Sequence, residues 1–249
     1  MLVLLPPSET KRPGGDGPPL DVAALTVPTL RPQREAVVDA LVALSSHEDE
    51  AARVLKLSAK RRHEIADNAA LRCAPTMPAI DRYTGVLFDA LDAGSLDAAA
   101  RSWLGEHVVI HSAPFGPIGA LDGIPAYRLA AGTSIPGLPA LRRVWADAVT
   151  AAFVELAPAF VLDLRSEAYA ALGPVPASVD AAYVRVVTEG EGGVVRALNH
   201  FNKHAKGDLV RALATSGRRV ATRRDFEEWA ATTGWVLRPG VREELHLVV

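Results

Sequence analysis

Cysteine is nearly absent: Cys73 is the single one in 249 residues. No intrachain disulfide can form, and a metal site framed by thiolates is excluded. Such a chain suits a reducing cytoplasm. Long apolar runs are missing too. The opening Met1-Leu2-Val3-Leu4-Leu5 stops at Pro6-Pro7, too short for a signal peptide and without its basic start. No run reaches the roughly 20 residues that span a bilayer, so neither export nor membrane insertion is expected. Charge of one sign is not in excess: 27 Lys and Arg face 29 Asp and Glu, a formal net charge of -2. The whole molecule therefore has no bias toward nucleic acid, and any DNA contact needs a local patch. Missing as well are a Gly-x-Ser-x-Gly elbow, a phosphate loop ending in Gly-Lys-Ser/Thr, and a dinucleotide fingerprint after a strand.

What is there is a large apolar content, 49% of residues, enough for a sizeable core. The run Leu2–Leu5 reads as a buried strand. Prolines and glycines through residue 19 forbid a helix, so residues 6–19 form an ordered loop or a mobile flap. Helices are predicted over 34–44, 48–56, 58–71, 138–156, 201–214 and 223–232, the last opened by Thr222 and Asp225 in capping-box spacing. Strands are predicted over 107–112, 126–129, 159–164 and 243–249, with a hairpin pairing 183–187 and 194–198 around a turn at 190–193. No repeat and no linker divides the chain after residue 20. One mixed α/β domain spanning residues 1–249, with a mixed central sheet and surrounding helices, is the economical reading.

Conspicuous polar groups stand beside strand ends and tight turns. They are Pro6-Pro7-Ser8-Glu9-Thr10-Lys11; Arg82-Tyr83-Thr84-Gly85; Pro125-Ala126-Tyr127-Arg128-Leu129 with Gly132; Asp163-Leu164-Arg165-Ser166-Glu167-Ala168-Tyr169; and Phe201-Asn202-Lys203-His204-Ala205-Lys206-Gly207. In this order the five segments resemble the YaaA peroxide-stress family, in its actinobacterial-type branch, over essentially the whole chain. The resemblance implies an α/β core with a helix-hairpin-helix element, binding of double-stranded DNA, and a role in limiting free intracellular iron under peroxide stress. In this chain Ile135-Pro136-Gly137-Leu138-Pro139-Ala140 stands where the hairpin would be. Pro139 replaces its second glycine and has no N–H for a phosphate, so the element is degenerate.

The residues themselves suggest a site. A strand that ends near residue 163 delivers Asp163, Ser166 and Tyr169 to the sheet edge where open α/β folds bind ligands, and the first strand delivers Ser8, Glu9 and Lys11 to an equivalent place. Lys203 and Lys206, three apart near a predicted helix start, share one face beside the positive end of the helix dipole, an arrangement suited to phosphate. Tyr127 and Arg128 form a planar ring and guanidinium able to clamp a base or phosphate, and Tyr83 is a further candidate. Glu9, Asp163 and Tyr169 are candidates for proton transfer. Bland alternatives stand beside these: Ser166 as an N-cap, Asp163 paired with Arg165 or Arg128, Tyr83 and Tyr169 as core, the lysines as solvated charge. His200 and His204 have metal-ligand spacing but no glutamate between them, and neither a metal nor a cofactor is expected. Basic groups at 56–62, 203–211 and 218–224 read as solvated helix faces, and Cys73 as structural. Two partner classes follow, duplex DNA or a phosphorylated small molecule handled by an enzyme, with the 8–19 loop as its lid.

Overall fold

The computed structural model describes residues 1–189, 195–196, 199–241 and 244–249. The chain opens with β1 (Leu2–Leu5) and a short β2 (Gly17–Pro19), then α1 (Arg31–Ser45), α2 (Glu48–Val54) and α3 (Glu64–Ala69). Next come β3 (Pro75–Pro78), α4 (Ala79–Arg82), α5 (Val86–Leu91) and α6 (Ala98–His107), leading into β4 (Val108–Ser112), β5 (Gly116–Gly119) and β6 (Gly123–Ile124). After α7 (Leu141–Leu156) follow β7 (Val161–Asp163), α8 (Glu167–Ala170), β8 (Ala181–Glu189) and β9 (Val195–Arg196). The chain closes with α9 (Asn199–Thr215), α10 (Arg223–Thr233), β10 (Val236–Pro239) and β11 (Glu244–Val248).

The main sheet runs β10-β11-β8-β7-β1-β4-β5, with β9 pairing to β8. Its inner strands β4, β1, β7, β8 and β11 are parallel, while β5, β10 and β9 join antiparallel. Parallel strands covered on both faces need apolar side chains throughout, and Val3, Leu4, Leu5, Val161 and Leu162 are all buried. A three-stranded sheet of β2, β3 and β6 lies apart. The mixed α/β architecture read from the sequence is the one observed.

Several boundaries differ. Residues 126–129 form no strand. Instead the Asn68 amide satisfies Arg128 on both sides, donating to its carbonyl at 2.9 Å and accepting from its N–H at 2.7 Å, so one side chain does the work of a ladder partner. The helix expected over 58–71 is broken into a 3-10 turn at Ala59–Arg61 and α3, and α7 begins only after Pro139. No helix precedes the 135–140 loop within residues 125–140, so that segment forms no helix-hairpin-helix. The expected hairpin forms, with Thr188 opposite Arg196, while its turn at 190–193 and residues 194, 197 and 198 lie outside the described residues. The Thr222–Asp225 capping box is formed.

Three arginines, Arg34, Arg82 and Arg165, are fully buried. Each spends its planar donors on fixed acceptors, the arrangement that makes a buried guanidinium tolerable. Arg34 donates to the carbonyls of Phe115 and Pro117 along the outer strand β5, and to those of Val22, Leu25 and Thr26. It thereby covers a sheet edge that would otherwise expose unpaired carbonyls. Arg82 ties together the carbonyls of Arg12, Pro75 and Ile124.

Candidate functional site

β1 and β7 are adjacent and parallel, with Leu4 opposite Asp163. The chain leaving β1 next enters the sheet at β4, on one side, and the chain leaving β7 enters at β8, on the other. That reversal opens a crevice at the carboxyl ends of the two strands, the usual ligand position in open α/β sheets. Ser8–Lys11 and Asp163–Tyr169 leave from it.

The first loop is ordered by pairing with the Arg82–Gly85 segment. Arg12 N–H donates to Arg82 O at 2.8 Å, Thr84 N–H to Thr10 O at 3.2 Å, and Lys11 bridges Tyr83 across the turn. Gly85 has φ +99°, and a Cβ there would sit 3.2 Å from Ser8 Oγ and 3.3 Å from Thr10 Oγ1. Glycine therefore allows both the backbone shape and the close approach of the loop.

Lys11 ends in an enclosed amine, although the residue as a whole is half-buried. Its Nζ donates to the carbonyls of Ser8 at 3.0 Å and Glu9 at 3.3 Å, and stands 3.9 Å from the Tyr127 ring centre. Burial, reinforced by the Arg128 charge, lowers its pKa to about 7. Beneath it the Tyr83 and Tyr127 hydroxyls meet at 2.7 Å, both fully buried, with burial raising the pKa of each. Arg128 donates to Glu9 Oε2 at 3.0 Å, and Arg61 reaches the same oxygen at 3.7 Å. The Arg128 hydrogen bond holds the Glu9 carboxyl below its usual range. Glu64 anchors Arg61 at 2.7 Å through one oxygen, while its Oε2, buried and without a hydrogen bond, lies 3.7 Å from Arg128 Nε. Tyr169 borders this group, its hydroxyl pushed up by burial and by the charges around Tyr127 and Glu9.

Asp163 belongs to a second, tighter group. Arg165 grips it in a fork, Nε to Oδ1 at 2.9 Å and Nη2 to Oδ2 at 2.7 Å, and the Arg165 backbone N–H adds a third bond. Arg165 Nη1 also donates to Gly173 O and to His111 Nδ1 at 2.8 Å. A guanidinium can only donate, so His111 accepts at Nδ1 and carries its proton on Nε2. Burial and the Arg165 charge push the His111 pKa well down, keeping the ring neutral. Lys206 joins this group, its Nζ donating to Leu164 O at 3.0 Å; burial lowers its pKa to about 8.

The structure thus brings Ser8, Glu9, Lys11, Tyr83, Tyr127, Arg128 and Tyr169 together, and sets Asp163 and Lys206 at the neighbouring strand end. Lys203 and Ser166 are exposed, and no side-chain hydrogen bond or ion pair joins either to these groups among the described residues. The two lysines are neighbours on α9 but differ in burial: α9 starts at Asn199, so Lys206 is its eighth residue, beyond the first turn, and the buried boundary passes between it and the exposed Lys203. Sequence reasoning missed Arg61, Glu64 and His111. His204 pairs with Asp208 at 2.8 Å, and the His200 side chain lies outside the described ones. Among the described residues no group of three His, Cys, Asp or Glu is placed to hold a metal, and no helix is long and apolar enough to cross a membrane. Cys73 is exposed. Two surface hollows, of about 440 Å³ beside Arg62 and His63 and about 120 Å³ beside Tyr83 and Asp89, contain neither amine. Lys11 is closed over by its own loop.

The family pattern described as "Peroxide stress protein YaaA" matches residues 1–239. This chain belongs to the YaaA family. It is 44% identical to UPF0246 proteins of Corynebacterium efficiens and Corynebacterium glutamicum, with both chains covered in full. A UPF0246 protein of Streptomyces coelicolor is 44% identical over 221 residues, covering 87% of this chain and 84% of that one. Membership of the YaaA family supports a role related to oxidative stress.

Proposed function

We propose that this YaaA-family chain serves the peroxide-stress response by binding a phosphorylated small molecule of the nucleotide class where β1 and β7 end. The observation that carries the reading is the enclosed Lys11 amine beside Arg128. Its hydrogen bonds go to backbone carbonyls and not to a carboxylate, and burial, with the neighbouring guanidinium second to it, lowers its proton affinity. Two cations crowded in a recess repel each other, and a phosphate between them would relieve the repulsion. Lys206 supplies a second recessed amine at the adjoining strand end. Asp163 is saturated by Arg165, and Glu9 is a weak base below its usual range. Lys11, with a pKa of about 7, is the group suited to proton transfer. Calorimetric titration with adenosine 5′-monophosphate tests the reading. Wild-type protein should bind and Lys11→Met should bind at least tenfold more weakly; absence of binding to wild type rejects it.

Duplex DNA is the second reading, with iron limitation as its downstream effect. It is favoured by exposed Lys56, Lys60, Arg142, Arg143 and Lys203, for which no ion pair is seen among the described residues. Against it, much of the remaining basic surface is neutralised: Arg62 by Glu48 and Asp49, Arg223 by Asp180, Arg224 by Glu228. Duplex affinity should fall steeply with salt if phosphate contacts release counterions; weak binding that ignores salt discards this reading.

A further inference from the structure

We infer that Lys11, Arg61 and Arg128 form a seat for the dianion of a phosphate monoester, and that the Glu9 carboxylate occupies this seat when no ligand is bound. The inference rests on the phosphorylated-ligand reading and specifies its substrate class. Glu9 sits at the tip of the first loop with its side chain 65% exposed, yet its carboxylate lies against Arg128 and Arg61. It can swing into solvent without unpacking the core. Glu64 cannot leave as easily, being only 18% exposed and bonded to Arg61 at 2.7 Å.

Charge then selects the ligand. With Glu9 seated, Arg61, Arg128 and Lys11 face two carboxylates, and an arriving dianion favours the protonated form of Lys11, so the liganded seat holds three cations. Once Glu9 swings out, three cations face Glu64 alone, and the two uncompensated positive charges match a monoester dianion. A phosphodiester or a carboxylate carries one negative charge, the same as the Glu9 group it would displace, and gains little. The remaining partner is Glu64 Oε2, buried and without a hydrogen bond. Its ion-pair partner is Arg128 Nε at 3.7 Å, so once Glu9 has swung out it has acceptor capacity left for an O–H or N–H beside the ligand's phosphate. A nucleoside or sugar monophosphate supplies both features, a dianion and a nearby hydroxyl.

The test compares adenosine 5′-monophosphate with its 5′-methyl phosphodiester, on wild type and Glu9→Gln, by calorimetry at pH 7.5, where the monoester is mostly dianionic. Thermal melts establish that the exposed substitution leaves the fold intact. Wild type should prefer the monoester at least tenfold, and Glu9→Gln should bind it about fivefold or more tighter than wild type does. If wild type binds both ligands equally, or if Glu9→Gln binds the monoester no better than wild type, the seat is wrong while phosphate binding stands. If neither ligand binds either protein, the phosphorylated-ligand reading falls and takes the seat with it.

Discussion

Replacing Gly207 by alanine probes the contact that sets α9 against α5. A Cβ at this position would lie 2.2 Å from Leu87 O, 2.8 Å from Ala90 Cβ and 3.0 Å from Leu91 N. Two of these are backbone atoms of α5 or its end, so no rotamer change relieves them. Ordinary carbon contacts lie near roughly 3.5 Å, so α5 and α9 must part by about 1 Å. Such overpacking typically costs about 1–3 kcal/mol. The change also removes a glycine from a helix interior, which returns up to about 1 kcal/mol. A 2.2 Å approach to a backbone atom puts the cost at the upper end, so a net loss of about 2 kcal/mol remains, and for a chain of this size that lowers Tm by roughly 4–8 °C. The displacement also pulls Lys206 from Leu164 O, now 3.0 Å away. Gly132→Ala is the control, since nothing lies within 4 Å of its Cβ position. Differential scanning calorimetry of both variants decides the matter. A Gly207→Ala protein as stable as wild type, or more stable through its helix propensity, refutes the close crossing.

Asp163→Ala should destabilise the fold by about 3–5 kcal/mol, because it strands the fully buried Arg165 charge; urea unfolding that moves by less than about 1 kcal/mol contradicts the buried pair. Asn68→Ala should cost about 2–4 kcal/mol by leaving the Arg128 N–H and carbonyl unpaired, and should weaken nucleotide binding through Arg128 even where the protein stays folded. Lys11 gives a pH signature. Its folded pKa is about 7 against an ordinary 10.5, so between these values the unfolded chain holds a proton that the folded chain lacks. Stability contributed by this residue therefore rises from pH 7 toward 10.5, and the penalty of burying its charge is complete below pH 7. Lys11→Met should flatten that rise and stabilise the protein at pH 6.5; equal pH–stability curves for the two proteins would show that the amine is not enclosed.

Periodicity made the strands β1, β4, β7 and β11 legible, because an apolar run bounded by prolines, glycines or charges has few alternatives to a buried strand. It also located α1, α7, α9 and α10 to within a few residues. What it could not reveal were elements whose stability is borrowed. β5 is Gly-Pro-Ile-Gly, with almost no strand propensity, and exists because β4 pairs with it on one side and the Arg34 guanidinium caps its carbonyls on the other. The 126–129 segment erred in the opposite direction: its apolar character suggested a strand, but the Asn68 amide had already taken the place of a neighbour.

The site divides along the same line. Ser8–Lys11 and Asp163–Tyr169 could be placed together because strand ends in a parallel sheet converge by topology, a property that two short apolar runs already imply. Arg61 and Glu64 could not, because they lie in a helical region whose spacing says only that one face is solvated. Lys206 shows how small the margin is. Its place was tied to the first turn of a helix starting at residue 201, but Lys206 is sixth from that start and eighth from the observed one at Asn199, past the dipole's reach within the first turn in either case. The three-residue step from Lys203 then determines the rest: a turn of about 300° leaves the two side chains roughly 60° apart on the helix. That angle is enough for one lysine to lie in solvent while the other crosses into the crevice and bonds Leu164 O. A helix face is therefore an insufficient unit for assigning such a pair, and the partner surface against which the helix packs decides which lysine can meet a ligand.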